Sequence, residues 1–322
     1  MQRQPLVLVL SNVPDPAVDM QLSFLAGLPH IHVQSPADLT EEAKQAEAIL
    51  HWAGPREMLQ TAFLTCPSVR WVHSRSAGLD GVLFPELVES ATPLTNGSGV
   101  FSQSLGEFGL TMILYFAKDL RRMLRNQAAC NWDQFDVEEI AGQTVGIVGY
   151  GDIGRAVASR AHAMGMRVLA LKRHAPASPD PLIARFYALS QLGELLALSD
   201  YVVVAAPLTR DTHHMISDAA FEAMKLNAVV INLGRGPVID QAALLRALEA
   251  GRIKGAGLDV FEEEPIPPDD PIWRFENVLV SPHCADHTKD WLNDAMRFFL
   301  EQYERFSKGE PLKNVVEKHL GY

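Results

Sequence analysis

The chain has 322 residues, 48% apolar, 21% charged and 8% aromatic, the balance of an ordinary globular protein and not of a disordered or fibrous one. Its formal net charge of -11 argues against a nucleic-acid surface, which needs clustered Lys and Arg to neutralise phosphates. Three cysteines, Cys66, Cys130 and Cys284, are few, widely spaced and odd in number, so neither a disulfide framework nor a zinc site is expected, and a reducing, cytoplasmic setting is.

In chain order, the first apolar run covers residues 6–10. It is too short for a secretory signal and Asn12-Val-Pro-Asp-Pro16 follows it, so it reads as a buried strand. No apolar stretch approaches the ~20 residues that span a bilayer. Further short apolar runs at 31–33, 48–52, 70–73 and 93–96 alternate with amphipathic stretches, the rhythm of a small doubly wound α/β unit. A long helical pattern then covers 104–125 through Leu105, Phe108, Met112, Ile113 and Phe116, ending in Lys118, Arg121 and Arg122. It fits a crossover between the two domains that this length suggests. Strands are expected at 145–148, 167–171, 201–205, 228–233, 255–260 and 278–281, with helical segments between them. A last amphipathic helix over 291–309 would return to the first domain.

The most informative segment is Thr144-Val-Gly-Ile-Val-Gly-Tyr-Gly-Asp-Ile-Gly-Arg-Ala-Val-Ala158. Val145, Ile147 and Val148 form a strand, and Ala156, Val157, Ala158 and Ala161 continue at helical spacing, so Gly149, Gly151 and Gly154 lie on a strand-to-helix turn. There the first glycine permits the tight turn, the second lets backbone approach a pyrophosphate, and the third allows close helix packing. Helix N-terminal amides then point at the anion. A dinucleotide site is expected over Gly149, Tyr150, Gly151, Asp152, Ile153 and Gly154.

Three later segments join this loop in one order: Ile231-Asn-Leu-Gly-Arg-Gly-Pro-Val-Ile-Asp240, Gly257-Leu-Asp-Val-Phe-Glu-Glu-Glu-Pro265 and Val280-Ser-Pro-His-Cys-Ala285. With Ser74-Arg-Ser-Ala-Gly-Leu-Asp80 and Ala206-Pro-Leu-Thr-Arg-Asp-Thr212 upstream of them, the chain resembles the NAD(P)-dependent D-2-hydroxyacid dehydrogenases, of the glyoxylate and hydroxypyruvate reductase type, over nearly its whole length. The resemblance implies two doubly wound parallel-sheet domains with the active site in the cleft. A flavodoxin-like substrate domain would take 1–103 plus 287–322, and a Rossmann NAD(P)-binding domain 104–286. It also implies a homodimer built on the nucleotide domains.

Reducing a 2-oxo acid requires holding a carboxylate, placing hydride on the carbonyl carbon and supplying a proton to its oxygen. By the resemblance Arg235 binds carboxylate and carbonyl, a task its planar, permanently charged fork suits. His283 is the proton donor in reduction and acceptor in oxidation, and imidazole exchanges protons near neutral pH. Glu264 orients His283 and favours the imidazolium, with Glu262 and Glu263 read as solvated neighbours. Substrate binding is further expected at the Ala77 and Gly78 amides, at Arg75 and at Trp52, which reads equally well as core. Trp132 falls where some relatives reach a partner subunit's active site, and reads equally as arm packing. Cys284 is read as packing, because a thiolate nucleophile needs an activating partner. Asp286 adds an anion near the expected substrate cleft.

For the cofactor, the resemblance adds Ala206, Pro207, Thr212, Leu233, Gly234, Arg235, Asp259 and His283 to the glycine loop, with Asp259 on the nicotinamide amide or else a buried structural hydrogen-bonder. Where NAD-preferring relatives carry an acid for the ribose hydroxyls, this chain has Lys172 followed by Arg173, cations suited to a 2′-phosphate. The expectation is NADP(H) preferred and NAD(H) second. The partner is a small 2-oxo or 2-hydroxy acid, with no metal, nucleic acid or membrane. Two other readings stand beside it: an NAD-linked D-2-hydroxy acid dehydrogenase, and a non-catalytic NAD(P)-sensing protein of the corepressor kind.

Overall fold

The computed structural model describes residues 4–12, 21–174 and 178–322, which form two compact units, 1–101 with 289–322, and 102–288. In the first unit the strands β1 (Val7–Leu10), β2 (His30–Val33), β3 (Ala48–His51), β4 (Trp71–Ser74) and β5 (Leu94–Asn96) make one parallel sheet in the order β2-β1-β3-β4-β5. Every residue of β1, β3, β4 and β5 is buried, as a parallel sheet covered on both faces requires. The helices α1 (Arg56–Thr65) and α2 (Pro85–Glu89) lie between strands. The C-terminal helix Trp291–Lys308 packs on this sheet, Phe299 stacking on Trp71 at 5.5 Å and the Tyr303 hydroxyl donating to Pro5 O at 2.8 Å. The segment after it bonds back to β5, Val316 N donating to Leu94 O at 2.9 Å.

His73 stands inside that core. The Thr95 hydroxyl accepts from the Trp71 indole at 2.9 Å and lies 2.7 Å from His73 Nδ1. Burial lowers the His73 pKa from 6.5 to about 3. Below about 6.5 the unfolded chain takes a proton that the folded chain refuses, so stability falls as pH drops from there toward 3, by ~1.4 kcal/mol per pH unit for this site. Burial also lowers the pKa of His51, which acts in the same direction. His73→Phe is expected to flatten the loss of stability between pH 6 and pH 4, measured by denaturant unfolding at each pH; an unchanged slope contradicts the assignment.

In the second unit β6 (Thr144–Val148), β7 (Arg167–Leu171), β8 (Arg185–Tyr187), β9 (Tyr201–Val204), β10 (Val229–Asn232), β11 (Gly255–Leu258) and β12 (Val278–Val280) form a parallel sheet ordered β12-β11-β10-β9-β6-β7-β8. The chain winds outward from β6 in one direction, then returns to its other side at β9, so the strand order reverses between β6 and β9. Loops at such a reversal leave a crevice outside the strand C-termini, the usual ligand position in an open α/β sheet.

The expected helix over 104–125 is two helices, α3 (Ser102–Ala117) and α4 (Leu120–Ala128). Asp119 separates them with φ 46° and caps the second by accepting from Arg122 N at 3.3 Å. Further on, α5 (Asp152–Ala163), α6 (Leu192–Leu198), α7 (Asp218–Ala223) and α8 (Gln241–Glu249) connect the strands. Among the described residues no helix is long and apolar enough to cross a membrane.

Candidate active site

The glycine loop joins β6 to α5. Gly149 adopts φ +99°, and a Cβ there would come within 2.5 Å of Ala206 N in the loop after β9. A Cβ on Gly154 would stand 2.3 Å from Gly149 O, so helix and turn touch through backbone. Gly151 differs: its φ is -100° and a Cβ would meet nothing within 4 Å. The protein's own packing therefore does not require glycine at 151, whereas a ligand approaching the backbone would. The N-cap residue Gly151 makes no side-chain cap bond to α5, and the start of a helix turns backbone amides toward an anion. A dinucleotide fits this cradle, with Gly149, Tyr150, Gly151, Asp152, Ile153 and Gly154 as the residues that would hold its pyrophosphate.

Beside the cradle the Tyr150 hydroxyl donates to Asp180 Oδ2 at 2.8 Å, and Arg155 Nε donates to the same oxygen at 3.2 Å. At the end of β7 the Lys172 ammonium lies 5.9 Å from the Tyr150 ring centroid, while Arg173 Nη2 donates to Asp211 Oδ2 at 2.6 Å. The strand end itself carries no acid, but the fold delivers one from the loop after β9. In that loop Ala206 is buried and Pro207 exposed, and the Thr212 hydroxyl donates to Pro207 O at 2.6 Å, holding the turn together.

Arg235, Glu264 and His283 follow the C-terminal ends of three adjacent strands, β10, β11 and β12. Past β10, buried Asn232 accepts from Gly234 N at 3.1 Å and donates to Arg235 O at 3.0 Å, wrapping Leu233, Gly234 and Arg235 into a turn. Arg235 Nη1 donates to Gly234 O at 2.9 Å. Past β11, Glu264 Oε1 accepts from Phe261 N at 2.8 Å, and its other oxygen, Oε2, lies 2.7 Å from His283 Nδ1. His283 has φ 51°, a left-handed backbone, and its side chain is 43% exposed against 34% for Glu264, open enough for a substrate.

Asp259 holds the histidine loop. It is buried, and it accepts from the Ser281 hydroxyl at 2.6 Å, from Cys284 N at 3.0 Å and from Ala285 N at 3.2 Å. Those bonds occupy both oxygens with the chain itself. Glu262 and Glu263 are both exposed, as expected of solvated neighbours, and Glu262 Oε1 lies 2.8 Å from His214 Nε2 and accepts from Gln241 N at 3.2 Å. Cys284 Sγ lies 3.4 Å from Ser281 Oγ, and Asp286 Oδ1 lies 3.7 Å from His287 Nε2. Asn232 and Ser281 were missed in the sequence; the only signal is a polar residue closing an apolar strand next to turn residues.

In the first unit Arg75 follows β4, and its guanidinium carbon lies 5.1 Å from the Trp52 ring and 5.0 Å from the Trp291 ring. Trp52 itself is 2% exposed. Asn96 Nδ2 donates to Ala77 O at 2.7 Å, shaping the turn that carries Gly78.

Comparison with known proteins meets this geometry. The family model for the D-isomer specific 2-hydroxyacid dehydrogenase, NAD binding domain, matches residues 110–285, more than half of the chain. A glyoxylate/hydroxypyruvate reductase B of an Enterobacter species is 33% identical over 98% of this chain and 99% of its own, and a glyoxylate reductase of Thermococcus gammatolerans 31% identical over 98% and 97%. Among solved structures, a D-isomer specific 2-hydroxyacid dehydrogenase of Xanthobacter autotrophicus in complex with NADPH superposes with TM-score 0.86 at 30% identity, covering 99% of this chain and all of that one. An NADPH-dependent glyoxylate/hydroxypyruvate reductase of Sinorhizobium meliloti in complex with NADP and sulfate gives 0.85 at 27% identity, over 99% of this chain and all of the other. The chain belongs to the D-isomer specific 2-hydroxyacid dehydrogenase family of oxidoreductases, with two parallel-sheet α/β domains of which one binds a nicotinamide dinucleotide.

Proposed function

We propose that the protein is an NADPH-preferring reductase of small 2-oxo acids, of the glyoxylate and hydroxypyruvate type, yielding D-2-hydroxy acids. The observation that carries the reading is the 2.7 Å contact between His283 Nδ1 and Glu264 Oε2 at the end of the nucleotide-binding sheet. The names of the relatives support the substrate class, and the NADPH and NADP complexes of the Xanthobacter and Sinorhizobium proteins support the cofactor.

Bound NADPH supplies hydride to the carbonyl carbon. With Nδ1 engaged by Glu264, the Nε2 of His283 is the nitrogen that holds the proton the carbonyl oxygen takes up, and the carboxylate stabilises the imidazolium before transfer. Arg235 presents a fixed positive fork to the substrate carboxylate and carbonyl. Arg75, held against Trp52, and the turn at Ala77 and Gly78 are proposed to contact substrate. Ala206, Pro207, Thr212, Leu233 and Gly234 would line the cofactor, while Asp259 acts by holding the histidine loop and meets the nicotinamide amide only if it shares its oxygens. Lys172 and Arg173 are assigned to the 2′-phosphate.

The protein is read as a cytoplasmic homodimer built on the nucleotide domains. Trp132, 93% exposed, and Leu124, 62% exposed, are apolar surface suited to a partner copy.

Nicotinamide absorbance, followed while glyoxylate, hydroxypyruvate and pyruvate are offered with each cofactor, tests the reading. NADPH should be consumed with a higher kcat/KM than NADH, and Lys172→Asp should raise the KM for NADPH about tenfold or more through repulsion of the 2′-phosphate, with NADH little changed. Equal use of both cofactors would remove Lys172 and Arg173 from recognition and favour the NAD-linked reading. No turnover with any 2-oxo acid would favour the sensor.

A further inference from the structure

Arg173 reaches its position at the end of β7 already engaged. Its Nη2 donates to Asp211 Oδ2 at 2.6 Å, and its side chain is 25% exposed against 63% for Asp211, so the guanidinium is the more sheltered member of the pair. The neighbouring cation, Lys172, is exposed and rests over the ring of Tyr150. Asp180, bonded to Tyr150, is engaged by the Tyr150 hydroxyl, Arg155 Nε and Leu182 N. Of the two cations at the strand end, one therefore has a carboxylate on it.

We propose that Asp211 sets how strongly this protein prefers a 2′-phosphorylated cofactor, by holding Arg173 in an ion pair that the phosphate must share or displace. The inference rests on the assignment of Lys172 and Arg173 to the 2′-phosphate. A phosphate monoester near neutral pH carries between one and two negative charges, so it meets repulsion from Asp211 as well as competition for the same fork. An adenosine ribose bearing only hydroxyls meets neither. Asp211 thus lowers affinity for NADPH and leaves affinity for NADH nearly as it was, and the pair narrows the gap between the two. Because Asp211 is largely exposed, the effect is modest and salt-dependent.

The test is calorimetric titration of the full-length protein and its variants with adenosine 2′,5′-bisphosphate and, separately, adenosine 5′-monophosphate, which differ only in the 2′-phosphate. Asp211→Asn should tighten the bisphosphate about threefold to tenfold and leave the monophosphate unchanged, with the gain shrinking at high salt. Asp211→Glu, which restores the charge, should return the ratio toward the original. The gain should also shrink when Arg173 is replaced by Ala in the same chain. A bisphosphate affinity that is unchanged or weakened in Asp211→Asn overturns the proposal, as does equal tightening of both probes. The starting protein's own preference for the bisphosphate reads the assignment of Lys172 and Arg173 separately. If it shows none but Asp211→Asn creates one, Asp211 keeps its role and only the expected preference fails. If neither chain shows one, both fail.

Discussion

His283→Gln is expected to lower kcat for 2-oxo acid reduction about a hundredfold or more, the usual scale for losing a positioned general acid, while NADPH binding measured by titration is kept. The glutamine amide can still reach Glu264 but carries no transferable proton. With its Nδ1 held 2.7 Å from Glu264 Oε2, the histidine must deliver from Nε2. Glu264→Gln should cost less, because the carboxamide keeps one acceptor oxygen where the carboxylate has two, so only one of Phe261 N and His283 Nδ1 keeps its bond. Turnover unchanged in His283→Gln would remove the residue from the mechanism.

Gly236→Ala is expected to destabilise the second unit by on the order of 3 kcal/mol and to reduce turnover together with stability. A Cβ at this position would lie 1.8 Å from Phe261 O, 1.9 Å from Phe261 C and 2.5 Å from Glu262 N. All three are backbone atoms, so no rotamer change relieves the clash; either the turn bearing Arg235 or the loop bearing Glu264 must move. Gly151→Ala makes the contrast, since its Cβ meets nothing within 4 Å. It should leave the denaturation midpoint unchanged and weaken NADPH binding. Equal midpoints for Gly236→Ala and the parent would contradict the close backbone contact.

Much of this was legible in the sequence because parallel strands buried on both faces read as unbroken apolar runs. β1, β3, β7, β9 and β10 are of that kind. β8 escaped because it is a three-residue edge strand in which only Tyr187 is buried. The break at Asp119 escaped because a left-handed cap depends on one φ angle, which helical spacing on either side does not reveal. Within the site, Arg235, Glu264 and His283 are legible as residue types in motifs, but what holds them is not. Asp259 reaches Cys284 and Ala285 across 25 and 26 residues, in the loop after the neighbouring strand, and Asp211 reaches Arg173 across 38, a contact that exists only once the sheet has reversed its winding. The contact of exposed Glu262 with His214, 48 residues upstream, is likewise invisible in the sequence.

The proposed function stands on reduction of a small 2-oxo acid by NADPH to the D-hydroxy acid. Incubating the protein with hydroxypyruvate and NADPH, and resolving the product by chiral chromatography alongside nicotinamide absorbance, tests it in one measurement. One D-glycerate should form for each NADPH consumed, faster than with NADH; L-glycerate, or NADPH left unconsumed with hydroxypyruvate and glyoxylate alike, would rule the proposed reaction out.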